Sequence, residues 1–121
     1  MALGVATVLA VPTSARAQDT VPLYPENYTV LLENDLVRVV DFRLRKGATE
    51  KPHSHPTHVA VFLADFTIRF TLPDGQTRIR EGRPGEIAFS EPAVHASENI
   101  GGTDAHGVLI ELKAPPATAA E

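Results

Sequence analysis

From Leu36 onward, apolar and polar residues alternate with a period of two. In "LVRVVDFRL" the residues Leu36, Val40, Phe42 and Leu44 fall on one face. "FTIRFTL" sets Phe66, Ile68, Phe70 and Leu72 against Thr67, Arg69 and Thr71, the pattern of a half-buried strand with a polar outer face. "PDGQ" supplies turn residues and "TRIR" returns, so residues 66–80 are predicted to form a hairpin. "EGRPGE" is a second turn before the short piece "IAFS", and "NIGGTD" a third before a last strand, "HGVLIELK". No apolar pattern with helical spacing extends for ten residues. Short strands separated by regular turn signals predict an all-β single domain, a sandwich or barrel.

The ends read differently. Ala2 to Val11 is uncharged and apolar, too short to span a bilayer as a helix, and Pro12, small residues and "ARA" follow it. Residues 1–17 are therefore expected to be a secretory signal peptide, although no Lys or Arg precedes the apolar run. That places the protein in the periplasm or outside the cell. Residues 18–29 are expected to be an extended lead-in, 30–113 the folded domain, and the Pro/Ala-rich 114–121 a loose tail.

Composition narrows the function classes. The 121 residues contain no cysteine, so stability comes from packing, with a metal or an oligomer as the other sources. The formal charge of −4 would become −5 on loss of Arg16, and no basic run exists, which argues against a nucleic-acid partner. No stretch after the signal could span a membrane. Arg38 shares the parity of Val40 and Phe42. An edge position reaching solvent is the expectation, and an inward one would let it bind a carboxylate.

Three of the five histidines lie within "HSHPTH". His53 and His55 are two apart, so in a strand they project to the same side and could share one ion. Pro52 and Pro56 bracket them and restrict the backbone. His58 has the wrong parity for an unbroken strand, and a bulge or bend after Pro56 would restore it. His95, in "SEPAVHASEN", is the fourth candidate, while His106 is expected outside the ligand set. Neutral imidazoles suit several divalent metals, so they do not select one. The competing reading is a solvated loop. Glu50 and Glu91 are expected to be solvated carboxylates, and Phe62, Phe66, Phe70 and Phe89 ordinary core.

Two segments carry a family resemblance. Gly47, five residues and then His53-Ser54-His55 match one motif; Gly85, His95 and Asn99 in "GEIAFSEPAVHASEN" match another. The chain resembles the cupins over about residues 30 to 113. The family's glutamate is absent, since its place falls at Val59 or Ala60, and Ser90 and Pro92 stand where the second motif has Pro-x-Gly. The resemblance implies a double-stranded β-helix (jelly-roll) barrel with a metal (Fe, Zn, Ni or Mn) on His53, His55 and His95. His58 would be the fourth ligand, replacing the glutamate. It also implies a small organic ligand at the barrel mouth and a homodimer. Three functions follow: a metal-dependent, dioxygenase-like oxidoreductase, a non-catalytic metal or small-ligand binding protein, or a barrel without metal. The fold alone does not choose.

Overall fold

The computed structural model describes residues 18–114; the expected signal peptide and nearly all of the expected tail lie outside the described residues. Among the described residues, one helical turn, α1 (Thr20–Leu23), precedes nine strands. These are β1 (Tyr28–Glu33), β2 (Val37–Leu44), β3 (Thr49–His55), β4 (His58–Phe62), β5 (Phe66–Thr71), β6 (Thr77–Gly82), β7 (Ile87–Ser90), β8 (Ala93–Asn99) and β9 (Ala105–Leu112). They form a five-stranded sheet, β1-β2-β9-β4-β7, and a four-stranded sheet, β3-β8-β5-β6. Every strand pair is antiparallel. The topology is that of a double-stranded β-helix, but neither sheet closes on itself, so the expected barrel is two open sheets facing each other.

The expected hairpin is β5–β6, paired from Phe66↔Gly82 to Thr71↔Thr77. The lead-in is not extended throughout. Tyr24 N–H donates to the Thr20 carbonyl and closes a turn whose Val21 and Tyr24 pack on the core. Pro22 fits there because the first turn of a helix needs no N–H from it. Leu36 does not join the buried face: it precedes β2 and is 70% exposed, whereas Val40 and Leu44 are fully buried.

The inner faces meet in two apolar clusters. Tyr28, Val40, Ala60 and Leu109 make one; Leu44, Phe66, Ile68 and Ala105 make the other; Phe42 and Phe62 pack against both. Phe62 and Phe66 meet edge to face with ring centroids 4.8 Å apart, the favoured aromatic geometry. Between them and β6 there is room only for a hydrogen at Gly82: a Cβ there would overlap the Phe66 ring and lie 2.9 Å from Phe62. Two motif glycines have another reason. Gly47 (φ +79) and Gly85 (φ +86) occupy left-handed turns before β3 and β7, a backbone that residues with a Cβ rarely adopt.

Arg38 does point inward, against the solvent expectation. Its guanidinium is held by Asp19 at 2.7 Å and Glu111 at 2.6 Å, tying the lead-in to β2 and β9. Gly82→Ala is expected to destabilise the fold by about 1–3 kcal/mol through overpacking. Thermal unfolding checks this as a Tm lower by roughly 5–20 °C. An unchanged Tm would mean that the Phe62–Phe66 pair yields.

Candidate metal centre

β3 and β8 are neighbours, with His53 directly opposite His95. His55 lies two residues beyond His53 on the same face, as strand periodicity dictates. His53, His55 and His95 each offer a ring nitrogen, and these atoms all lie within 4.8 Å of one another. Their ring centroids are 4.9–5.0 Å apart. The three side chains form a cluster able to coordinate a divalent ion.

The hydrogen bonds decide which atoms are available. His53 Nδ1 is 2.7 Å from the Lys51 carbonyl, which can only accept, so Nδ1 carries the proton and Nε2 a lone pair. That Nε2 is buried without a hydrogen-bond partner, and so is Nδ1 of His55. Buried ring nitrogens without partners are costly in a protein alone, and they are what an ion would satisfy. The donor set fits a divalent metal.

Burial, followed by the neighbouring His95, His53, His58 and Arg38, holds His55 well below the ordinary imidazole pKa. Burial, with His53 and His58, lowers His95 to about 3. Both rings are therefore neutral and ligand-competent at physiological pH.

His58 reaches the same cavity by another route. The chain bends through Pro56 and Thr57, leaving the four-stranded sheet, and His58 opens β4 in the five-stranded one. Its Nδ1 lies 2.8 Å from the Pro56 carbonyl, so Nε2 again keeps its lone pair. Its ring is 5.4 Å from that of His55, but it falls outside the group of three. Ala60, one of the two places for the family's glutamate, is buried on the same strand and lines the cavity.

Glu50 corrects the sequence reading. It is 2% exposed and not solvated, accepting from Asn27 Nδ2 at 2.8 Å and from the Tyr28 hydroxyl at 2.9 Å. Glu50 pairs with Ser97 and His53 with His95, so two residues of β3, Lys51 and Pro52, stand opposite one of β8, Ala96. This bulge turns both side chains inward. Pro52 within the strand was the available signal, because proline in a strand marks an edge or a bulge. Burial raises the Glu50 pKa, opposed by Asn27, His53 and Tyr28. One carboxylate oxygen lies 3.6 Å from His53 Nε2, too far for a hydrogen bond. Tyr28 and Asn27 also went unnoticed in the sequence, which has no pattern to mark them.

The remaining candidates are structural or peripheral. His106 is outside the group; its Nε2 is 2.8 Å from an Asp41 carboxylate oxygen. Asn99 is buried and donates to the carbonyls of Leu44 and Thr103, bracing the turn before β9. Glu91 is exposed, as expected. Beside the histidines lies a cavity of about 560 Å³ between the sheets, lined among others by Phe42, Phe62, Phe66, Phe70, Ile68 and Leu109. Phe66 is core, but Phe62, Phe70 and the 62%-exposed Phe89 line the cavity as well. Phe70 packs on His95 with centroids 4.3 Å apart.

The lowered pKa values carry a stability prediction. Above about pH 6.5 both folded and unfolded chains hold neutral imidazoles, so this contribution is at its full value. As pH falls below that, the unfolded chain takes up protons that folded His55 and His95 refuse. Stability is then lost progressively until His95 titrates at about 3. Urea unfolding of chelator-treated protein between about pH 6.5 and 4.5 should show a shallower slope for His95→Gln than for wild type. Equal slopes would place the His95 pKa near its ordinary value.

No protein-family model matches the chain, and no curated protein matches it significantly. Solved structures do. A cupin domain from Bordetella pertussis is 26% identical with a TM-score of 0.66, covering 72% of this chain and 92% of that one. A double-stranded β-helix protein from Klebsiella pneumoniae is 20% identical with a TM-score of 0.55, covering 73% and 84%. The polyketide cyclase RemF from Streptomyces resistomycificus is 22% identical with a TM-score of 0.55, covering 74% and 66%. With two facing sheets, histidines from both motifs in one cluster and these structural neighbours, the chain is a small cupin by fold.

Proposed function

We propose that the protein is a metal-dependent enzyme acting on a small, largely apolar organic substrate held between the sheets. The carrying observation is the position of the three-imidazole cluster at the wall of the 560 Å³ cavity, with His55 and His95 both lining it. His53, His55 and His95 would hold the ion through nitrogens freed by the hydrogen-bond pattern described above. His58 is the fourth ligand in this reading, its Nε2 lone pair being left free by the Pro56 carbonyl.

A divalent ion held there supplies a Lewis acid for substrate oxygens and, if it is iron, oxygenase-type redox chemistry. The protein's own groups do the rest. Phe42, Phe62 and Phe70 exclude water and hold an apolar body beside the cluster. Tyr28 lines the cavity, but its hydroxyl proton is committed to Glu50, and burial together with that carboxylate raises its pKa. Tyr28 therefore stays neutral and positions a ligand without ionising. The alternative is a non-catalytic metal or ligand binder. The cyclase among the structural neighbours belongs to a chain under 25% identical, so it does not choose the reaction.

Elemental analysis after reconstitution should find about one divalent ion per chain in wild type, and none in His53→Ala/His55→Ala. His58→Ala should keep the ion but bind it about 10–100-fold more weakly. Cobalt-substituted protein then separates the two functions. A visible spectrum that shifts on adding azide marks an exchangeable position and favours catalysis; one indifferent to azide favours the binding protein. No ion in wild type under any loading condition would sink both.

A further inference from the structure

The chain is acidic, with fifteen Asp and Glu against eleven Lys and Arg, yet the cavity carries the opposite character. Its ionisable lining residues, Tyr28 aside, are His55, His58, His95, His106, Arg78 and Arg80, and no lining residue is acidic. The imidazoles of His55 and His95 are neutral, so the positive charge of the lining lies on its guanidinium groups, and with no carboxylate in the lining to oppose them they favour an anionic occupant.

The two arginines are not equivalent. In the β5–β6 hairpin Ile68 pairs with Arg80 and Phe70 with Arg78. Ile68 and Phe70 both line the cavity, so both arginines project from an edge strand onto the cavity side, Arg80 half-buried and Arg78 at the exposed rim. Arg80 is committed: it ion-pairs with Glu86 at 3.2 Å and lies over the Phe62 ring at 5.1 Å. The Arg78 side chain has no hydrogen-bond or ion-pair partner among the described residues. Phe70, its cross-strand neighbour, packs on His95, so an apolar floor runs from Arg78 to the imidazole cluster.

We propose that the cavity takes a flat apolar carboxylic acid, such as an aryl acid, with its carboxylate on Arg78. The apolar body lies along Phe70, and the far end reaches His55 and His95. The guanidinium fork suits this role because it matches a carboxylate with two parallel N–H donors. This assignment rests on the functional reading above for what happens at the imidazole end.

The test compares 3-phenylpropionate with its uncharged amide by titration calorimetry on wild type, Arg78→Gln and Arg78→Lys. The metal content of each sample is measured first. Wild type should bind the acid about tenfold or more tightly than the amide. Arg78→Gln should abolish that preference without changing metal content, and Arg78→Lys should restore part of it. Equal affinity for acid and amide in wild type would overturn the assignment, as would no binding of either. A preference surviving in Arg78→Gln would overturn it too and move the carboxylate to the imidazole end. Metal-free protein with an Arg78-dependent preference would keep this inference and sink the metal centre. Metal-loaded protein without the preference would do the reverse.

Discussion

Phe42 and Phe62 are the side chains that pack against both apolar clusters, and the facing of the two sheets depends on them. Two open sheets with no disulfide are held by the side chains that fill the gap between their inner faces. Phe42 from β2 and Phe62 from β4 both pair with Gly107 of β9, which puts no side chain between them. One row further, Val40, Leu109, Ala60 and Ala88 are smaller, and the filling thins. The next row is polar: Arg38, Glu111, His58 and Ser90. One level is thus filled by aromatic rings, and beyond it the filling gives way to polar groups. The cavity follows from that gradient in side-chain volume.

The imidazoles sit where desolvation is strong and hydrogen-bond partners are few. Neutral rings with inward lone pairs are a net cost to the apoprotein. Lys51 and Pro56 fix the tautomers of His53 and His58 through main-chain carbonyls, so ring orientation is set by backbone adjacent in sequence. Glu50 adds a buried carboxylate 3.6 Å from the free Nε2 of His53, supported by Asn27 and Tyr28. The result is a site poised for positive charge at one wall, beside a cavity whose own lining has no negative charge.

Much of this was legible in local pattern. Alternation found the β5–β6 hairpin, and the spacing of His53 and His55 placed them on one face. Glu50 reads as a solvated turn residue in the sequence, but it lies in β3, where the bulge at Lys51–Pro52 turns it inward. Arg38 was misread because its partners, Asp19 and Glu111, come from opposite ends of the domain. Arg78 carried no signal, since a hairpin arginine's place at the rim of a cavity shows only once the facing sheet is known.

By itself the sequence determined the all-β class, the strand-and-turn rhythm and the histidines worth watching. These depend on residues within a few positions of one another, where sterics and side-chain period act directly. Only the tertiary structure decided that β3 lies against β8, so that His53 faces His95 across 42 positions of chain. It alone decided that the sheets stay open and that Arg78 overlooks the cavity. Sheet order and facing are set by the burial of many apolar side chains at once, and no single segment carries that information.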